Sequence, residues 1–252
     1  MNAESIAKLT DIIRNSRKAV FFGGAGVSTE SGLKDYRSED GIYSTVNQYG
    51  VSPEVILSHS FFFQKPDVFY DFYYRFFLSA KAEPNRAHLA LTELERKGIL
   101  KAVITQNIDG LHQKAGSQKV IELHGTTSDH ACTKCGKHFD ADYVASLKGK
   151  IPYCDSCGEI VKPEVVLYEE QLNSDRIEEA LRLISSADTL IIGGTSLAVY
   201  PAAGFVRYFN GEHLVLINRD ETPYDSHADL IIHEKIGEVL GEVMKSLNEE
   251  NG

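Results

Sequence analysis

Short apolar runs rich in valine and isoleucine recur along the chain, and each one ends abruptly in glycine or a polar residue. The clearest are AVFFGG from residue 19, AVITQNID from residue 102, TLIIGG from residue 189 and LVLINRD from residue 214. Such uninterrupted runs are typical of strands that are buried on both faces of a parallel sheet. VIELHG, from residue 120, predicts a fifth and shorter strand.

Helical patterns lie between these runs. The segment PNRAHLALTELERKG has Pro84 and Asn85 at its start, apolar residues at three- and four-residue steps, and Gly98 at its end; these are helix start and stop signals. Residues 174–185 and 234–247 repeat the pattern more weakly, and the N-terminal segment reads as an amphipathic helix. The alternation predicts a doubly wound, Rossmann-like α/β sheet that binds ligands at the carboxyl ends of its parallel strands.

Two stretches interrupt the alternation and predict how the chain is divided. Residues 33–80 are dense in aromatic side chains and indicate a helical insertion, either a lid or part of the core. Residues 126–162 contain all four cysteines and show little periodicity, as expected of a small metal-binding module. Residues 1–32, 81–125 and 163–252 then form the Rossmann-like domain.

The cysteines follow the pattern C-x2-C-x18-C-x2-C, formed by Cys132, Cys135, Cys154 and Cys157. Two such hooks can bring four thiolates to the corners of a tetrahedron and so predict a zinc site. Four protein ligands leave no open coordination position, so the zinc would be structural. A disulfide pair is disfavoured without a secretion signal. Zinc ribbons also bind nucleic acid or protein, so the hooks alone do not indicate an enzyme.

The first strand leads into a glycine-rich loop, AVFFGGAGVSTESG, where backbone amides could approach a pyrophosphate. The match to G-x-G-x-x-G is partial, because Thr29 stands where the last glycine should be and no acidic residue ends a second strand about 20 positions later. An ordinary dehydrogenase is therefore disfavoured, and a simple tight turn stays open. Asn218 and the GGTS segment at 193–196 end two further strands, and together these tips favour a nucleotide.

Polar side chains also follow the strand that begins at residue 102. Gln106, Asn107 and Asp109 can hold a carboxamide or a water molecule, and His124, at the end of the fifth strand, can move a proton near neutral pH. A nicotinamide and its ribose would use all of these groups. A solitary histidine is more often structural than catalytic, and only the position of His124 beside a glycine at a strand end favours a catalytic role.

The 252 residues are 42% hydrophobic and 25% charged, with a formal net charge of -10. These values are ordinary for a globular protein, and no apolar stretch is long enough to span a bilayer. The N-terminal segment lacks the pattern of a secretion signal, so we expect a cytoplasmic protein. The negative charge argues against broad nucleic-acid binding and would favour basic partners, unless it only aids solubility.

Taken together, the motifs resemble those of the sirtuins, NAD-dependent protein deacylases, in particular the compact bacterial and archaeal type. GAGVSTESGLKDYR resembles the sirtuin nucleotide loop, TQNIDGLH and ELHG resemble the catalytic centre, and the four cysteines resemble the zinc module. The likeness continues through KPEVVLYEE, GTSLAVYPAA and LINRDETPYD and so covers nearly the whole chain.

The resemblance implies that NAD lies in a cleft between the sheet and the inserted regions, with part of 33–80 acting as a cofactor-binding loop. The implied NAD-binding residues are Gly24, Ala25, Gly26, Ser28, Thr29, Asp35, Tyr36, Arg37, Gln106, Asn107, Ile108, Asp109, His124, Gly194, Thr195, Ser196, Asn218, Arg219, Lys235 and Ile236. Asp109 would accept a hydrogen bond from the nicotinamide carboxamide, and Lys235 and Ile236 would flank the adenine.

The implied reaction is the removal of acyl groups, acetyl first among them, from protein lysine side chains, with release of nicotinamide and O-acyl-ADP-ribose. His124 and Asn107 would be catalytic, His124 as a general base acting through the ribose hydroxyls. The acylated peptide would add as a strand between the zinc module and the sheet. The implied peptide contacts are Val165, Val166, Tyr168, Glu169, Glu170, Val199 and Tyr200.

The alternatives are protein mono-ADP-ribosyl transfer, deacylation of longer or acidic acyl groups, and a binding scaffold that has lost catalysis. The expected partners are acetylated protein lysines, with no specific nucleic acid and no membrane. We expect a monomer.

The chain departs from the sirtuin pattern at several positions. Lys34 replaces a proline and Tyr36 a phenylalanine, while Glu169 stands where the family commonly has glycine and Tyr168 where it commonly has an apolar aromatic residue. Relatives that prefer acidic acyl groups carry Tyr-x-x-Arg in the helical region, but here the sequence at 72–75 is FYYR. The missing first tyrosine favours acetyl-lysine as the substrate.

Overall fold

The fold is given by a computed structural model that describes residues 2–34, 49–78 and 81–249. These residues contain two sheets. The strands are β1 (Ala19–Gly23), β2 (Leu100–Thr105), β3 (Val120–Glu122), β4 (Gly125–Cys132), β5 (His138–Asp140), β6 (Val161–Val165), β7 (Thr189–Gly193), β8 (His213–Ile217) and β9 (Leu230–Ile232).

The larger sheet is parallel throughout, with the strand order β3-β2-β1-β7-β8-β9. The chain order reverses between β1 and β7, which makes their carboxyl ends a topological switch point where ligands bind in such folds. Gly23 pairs with Thr105 on one side and with Gly193 on the other, so three strands end side by side. The predicted doubly wound α/β fold is confirmed.

Helices cover both faces of this sheet. The α-helices are α1 (Ala3–Asn15), α2 (Pro53–Ile56), α3 (His59–Gln64), α4 (Pro66–Tyr73), α5 (Arg86–Arg96), α6 (Leu111–Ala115), α7 (Ala141–Ser146), α8 (Ser174–Ser186) and α9 (Ile236–Glu249). Alternate residues of a strand point to opposite faces. Phe21 accordingly packs with α1, α5 and α9, whereas Phe22 packs with α8 and the 3₁₀ helix Ala202–Tyr208.

The start of α5 shows how the local sequence fixes the helix. The Oδ1 atom of Asn85 accepts from Ala87 N–H at 2.9 Å, and His88 Nδ1 accepts from Asn85 N–H at 3.2 Å, which is a capping box. Gly98 follows the helix with φ +73°, the left-handed conformation that favours glycine. The predicted start and stop signals are therefore confirmed.

The aromatic run at 53–78 forms its own core outside the sheet. α2, α3 and α4 are followed by the π-helical segment Tyr74–Leu78, and the buried rings of this run pack against Ile160 and Leu167. Tyr73 Oη lies 3.1 Å from His130 Nε2, and Tyr74 Oη donates to the Val144 carbonyl at 2.6 Å. The insertion is therefore packed against the cysteine-bearing region.

The smaller sheet is antiparallel, with the order β5-β4-β6, and Cys132 is the last residue of its central strand β4. This sheet and β9 were not predicted from the hydrophobic pattern. Strand β4 has the mostly polar sequence GTTSDHAC, and β5 and β9 are only three residues long, so none of these strands forms a clear apolar run. Within the described residues, no helix combines the length and apolarity needed to cross a membrane.

Three histidines are buried away from water. His88, His112 and His130 are each no more than 1% exposed, and the rings of His88 and His112 lie 4.7 Å apart. Burial lowers the pKa of His112 to about 3 and the pKa values of His88 and His130 to about 4. All three rings are therefore neutral in the folded protein at neutral pH.

We predict that acid destabilises the fold through these histidines. Below pH 6.5 the unfolded chain binds more protons than the folded protein, so the free energy of unfolding falls as the pH drops from 6.5 toward 4. Each histidine contributes about 1 kcal/mol per pH unit. Urea unfolding at several pH values measures the slope, which should be shallower in His112→Leu than in the wild-type protein, because one buried histidine is lost. Equal slopes in the two proteins would contradict this origin.

Candidate functional site

A cavity of about 1090 Å³ opens at the carboxyl edge of the parallel sheet, over the switch point between β1 and β7. The loops after β1, β2, β7 and β8 form its floor. The segment after β6 and one side of the aromatic insertion form the opposite wall. The cavity therefore lies between the sheet and the two inserted regions, where the strand tips meet.

Two glycine loops touch each other at the floor of the cavity. Gly26 N–H donates to the Gly194 carbonyl at 2.8 Å. A Cβ atom at Gly26 would lie 2.8 Å from Gly194 Cα, and one at Gly24 would lie 2.9 Å from Thr195 Cβ. Gly194 has φ +59°, and a Cβ there would meet the Val27 backbone nitrogen. Side chains are excluded at this point, so backbone atoms form this part of the cavity surface.

Gln106 ties the loop after β2 to these glycine loops. Its backbone N–H donates to the Gly23 carbonyl at 3.0 Å, and its Nε2 donates to Thr195 Oγ1 at 3.2 Å. Thr195 Oγ1 also accepts from Leu197 N–H at 3.2 Å. The Gln106 side chain therefore spans the end of β1 and fixes three neighbouring strand tips relative to one another.

A hydrogen-bonded chain of side chains supports the loop after β2. Asn107 Nδ2 donates to Ser28 Oγ at 3.0 Å, and Ser28 Oγ donates to Asp109 Oδ2 at 2.7 Å. Asp109 Oδ1 accepts from Leu111 N–H at 2.9 Å and so caps the first turn of α6. Asn107 lines the cavity, while Ser28 and Asp109 lie behind it. The network orients the Asn107 amide at the cavity wall.

His124 lies at the seam between the two sheets and lines the cavity. Its Nδ1 is 2.9 Å from the Gln106 carbonyl, which can only accept, so Nδ1 carries the proton and Nε2 of the neutral ring is basic. Burial lowers the pKa of His124, although the bond to Gln106 opposes the shift. The carbonyl of His124 accepts from Val166 N–H at 2.9 Å, which joins it to the segment after β6.

The far end of the cavity is formed by β8 and the start of α9. Asn218 Nδ2 donates to the Asp220 carbonyl at 2.8 Å in the turn after β8. Lys235 and Ile236 also line this end. Glu30, from the loop after β1, accepts from Gly237 N–H at 2.7 Å at the first turn of α9. Its carboxylate links the glycine loop to this end of the cavity.

Most of the sequence-predicted site residues surround this one cavity. They are Gly24, Ala25, Gly26, Thr29, Gln106, Asn107, Ile108, His124, Val165, Val166, Tyr168, Glu169, Glu170, Gly194, Thr195, Ser196, Val199, Tyr200, Asn218, Arg219, Lys235 and Ile236. Asp35, Tyr36 and Arg37 lie outside the described residues. The strand tips that the sequence places far apart are thus brought together by the fold.

Sequence reasoning missed several residues of the wall. Phe69, Tyr73 and Phe77 line the cavity, as do Leu57 and Glu30. The three aromatic residues recur every four positions, which places them on one helical face and could have marked them as a group. Glu30 carries no local signal, because its partner Gly237 is 207 positions away.

The four cysteines converge outside the cavity. Their sulfur atoms all lie within 4.8 Å of one another, with Cys132 and Cys157 at 3.4 Å and Cys135 and Cys154 at 3.6 Å. None forms a disulfide. Four clustered sulfurs fit tetrahedral zinc, as the spacing predicted.

The profile of the Sir2 family matches residues 24–201 of the chain. An NAD-dependent protein deacetylase of Clostridium tetani is 53% identical over 239 residues, which cover 95% of this chain and 97% of that protein. An NAD-dependent protein deacetylase of Cutibacterium acnes is 49% identical over 240 residues, with coverage of 95% and 98%.

Solved structures of Sir2 proteins have the same fold. One, described as a structural basis for the mechanism and regulation of Sir2 enzymes, has a TM-score of 0.88 and 39% identity and covers 99% of this chain and 100% of its own. A Sir2 complex with a p53 peptide and NAD+ has a TM-score of 0.85 and 38% identity, with coverage of 97% and 99%.

We predict that the four cysteines hold one structural zinc ion per chain. Replacement of Cys135 by serine should lower the zinc content and the melting temperature, because a ligand is lost and three thiolates remain. Metal analysis and thermal unfolding measure both effects. Ser156→Ala, in the second hook, keeps every sulfur and should behave like the wild-type protein. Full zinc content and stability in Cys135→Ser would contradict the assignment.

Proposed function

Because this chain belongs to the Sir2 family, we propose that it is an NAD-dependent protein deacetylase that removes acetyl groups from lysine side chains. The observation that carries the proposal is the single cavity in which the glycine loops, Asn107 and His124 meet. The C. tetani relative with this activity is 53% identical over 95% of the chain. NAD is a co-substrate here: its bond to nicotinamide breaks, a ribose hydroxyl takes up the acetyl group, and water completes the release of free lysine and O-acetyl-ADP-ribose.

The phosphates of NAD belong, in this proposal, at the contact between the glycine loops. Gly24, Gly26 and Gly194 present backbone rather than side chain to the cavity, which suits a closely held anion. Asn218 and the pair Lys235 and Ile236 line the end of the cavity and would hold the adenosine. Ser196 and Arg219, two further assigned cofactor contacts, line the same cavity.

The nicotinamide end belongs at the loop after β2. Asn107 and Ile108 line the cavity there, and the bonds through Ser28 to Asp109 hold that loop in place. A fixed polar wall of this kind orients the bound ring and limits water around the bond that breaks. Asn107 is thereby a candidate catalytic residue that orients the reacting groups.

His124 is the proposed general base. Its Nδ1–H bond to the Gln106 carbonyl fixes the tautomer and leaves Nε2 to take a proton from a ribose hydroxyl. Because burial lowers its pKa, the ring is in its basic form at neutral pH. This arrangement speaks against a scaffold that has lost catalysis.

The acetylated peptide is proposed to bind between the smaller sheet and the parallel sheet. Val165, Val166 and Tyr168 line one side of the cavity mouth, and Val199 and Tyr200 line the other. Val199 is 38% and Tyr200 is 63% exposed, so both are accessible to a partner. An extended segment added here would be recognised chiefly through its backbone.

The helical insertion favours acetyl over acidic acyl groups. Tyr73 lines the cavity and is buried, whereas Arg75 is exposed and lies over the Phe76 ring, 5.8 Å from its centroid. A cation that recognises an acidic acyl chain would have to face the cavity. Arg75 does not line it, so the position of this arginine supports a neutral acyl group.

We further propose that the protein acts on acetylated protein lysines as a monomer in the cytoplasm, without a specific nucleic-acid partner. The four free cysteines support a reducing compartment. The net charge of -10 disfavours binding to phosphate backbones.

We predict that His124→Ala abolishes peptide-dependent deacetylation by at least roughly 100-fold, as loss of a general base does. Two rates are measured. One is nicotinamide release from NAD, with and without an acetyl-lysine peptide, and the other is deacetylation of that peptide, with and without NAD. His138→Ala, a change on the smaller sheet, should leave both rates unchanged. Full turnover in His124→Ala would contradict the assigned base.

NAD labelled in its ADP-ribose part distinguishes deacetylation from the main alternative, ADP-ribosyl transfer, in the same assay. The deacetylase reaction places the label in a small-molecule product, whereas ADP-ribosyl transfer leaves it on polypeptide. Label retained on protein, together with unchanged acetyl-lysine, would overturn the proposed function.

A further inference from the structure

The segment 167–170, which lines the proposed peptide site, is hydrogen-bonded to the start of α3 in the helical insertion. Tyr168 N–H donates to the Leu57 carbonyl at 2.9 Å, and the Tyr168 carbonyl accepts from His59 N–H at 3.0 Å. Ser58 and Tyr168 thus form an isolated parallel β-bridge. The wall of the peptide site is joined through its backbone to the insertion.

Glu169 has an unusual backbone conformation within this segment. Its φ is +75°, in the left-handed region that a residue with a Cβ atom rarely occupies. The carboxylate compensates by binding one serine twice: Oε2 accepts from Ser60 N–H at 2.9 Å, and Oε1 accepts from Ser60 Oγ–H at 2.9 Å. The Glu169 side chain therefore stabilises a left-handed backbone conformation, whereas a glycine at this position would allow that conformation without stabilising it.

Glu170 strengthens the same connection. Its Oε1 lies 2.9 Å from His59 Nδ1, and its Oε2 accepts from Leu167 N–H at 2.9 Å and lies 3.1 Å from Lys162 Nζ. Burial disfavours its ionised form, but the bonds from His59, Leu167 and Lys162 outweigh burial and lower its pKa. Glu170 stays charged and keeps the base of the segment fixed.

We propose that Glu169 is a positioning residue for the substrate: its two bonds to Ser60 lock segment 167–170 in the shape that pairs with an acetyl-lysine peptide. The inference rests on the proposed function, because it assigns the segment to the peptide of that reaction. A wall that is ordered before binding loses less conformational entropy when the peptide arrives. Glu169 then affects peptide affinity, while the chemistry at His124 is left unchanged.

The same carboxylate could instead act by charge, since it is exposed at the cavity mouth and would attract basic residues of a peptide. Two substitutions separate the explanations. Glu169→Gln removes the charge, but its amide group can still bond to Ser60. Glu169→Gly removes both bonds and permits the left-handed backbone without strain.

The first test measures the binding of a fluorescent acetyl-lysine peptide without basic neighbours. We expect the Kd to rise about fivefold in Glu169→Gly and to stay within about twofold of wild type in Glu169→Gln. The control Glu164→Gln changes an exposed carboxylate of β6 and should bind as wild type does. Unchanged binding in Glu169→Gly, or equal weakening in Glu169→Gln, would overturn the positioning role.

The second test separates positioning from general damage. In steady-state assays Glu169→Gly should raise the KM for the peptide while kcat and the KM for NAD stay unchanged; a fall in kcat would overturn the proposal. Hydrogen exchange at the Tyr168 and His59 amides should be faster in Glu169→Gly than in wild type, and equal rates would contradict the lock. Hydrogen exchange does not depend on catalytic turnover. A lack of deacetylase activity in the wild-type protein would therefore refute the proposed function without affecting the exchange test of the Glu169 bonds.

Discussion

The carboxyl edge of the parallel sheet depends on one close backbone contact, between the loop after β1 and the loop after β7. The bond from Gly26 N–H to the Gly194 carbonyl is 2.8 Å long, and a Cβ atom at Gly26 would lie within 2.8 Å of the Gly194 backbone. Because no side chain fits there, the two loops close over the switch point, and their backbone forms the cavity floor. Gln106 then joins a third strand tip to them through Thr195.

Two excursions from the sheet complete the site. The aromatic insertion and the smaller sheet pack on each other through the buried rings and through Tyr73 and His130, and together they face the strand tips across the cavity. His124 lies where β3 leads into β4, so the proposed base belongs to the connection between the two sheets. The four clustered cysteines hold together the end of the smaller sheet that lies away from the cavity. Binding of cofactor, binding of peptide and proton transfer therefore depend on different parts of the fold that meet in one cavity.

The sequence predicts this architecture well where the signal is local. Valine- and isoleucine-rich runs marked β1, β2, β7 and β8, and the cysteine spacing marked a cluster that the fold does form. Long-range contacts left no such signal: the Glu30 bond to Gly237 and the Glu169 bonds to Ser60 join residues that are far apart in the chain. The sequence marked Glu169 as an expected peptide contact and as a departure from the family pattern, but its left-handed backbone and its bonds to Ser60 are features of the three-dimensional structure alone.

The most direct test of the central claim is the affinity for NAD of a protein in which Gly26 carries a methyl group. Calorimetric titration of Gly26→Ala should give a Kd at least roughly tenfold above wild type, since the added carbon must separate the two glycine loops. Gly204→Ala is the matched control, because a Cβ atom there would lie 3.7 Å from its nearest neighbour, the Tyr200 ring, and this variant should bind NAD normally. Thermal unfolding establishes that both variants are folded. Wild-type affinity in a folded Gly26→Ala protein would contradict the account.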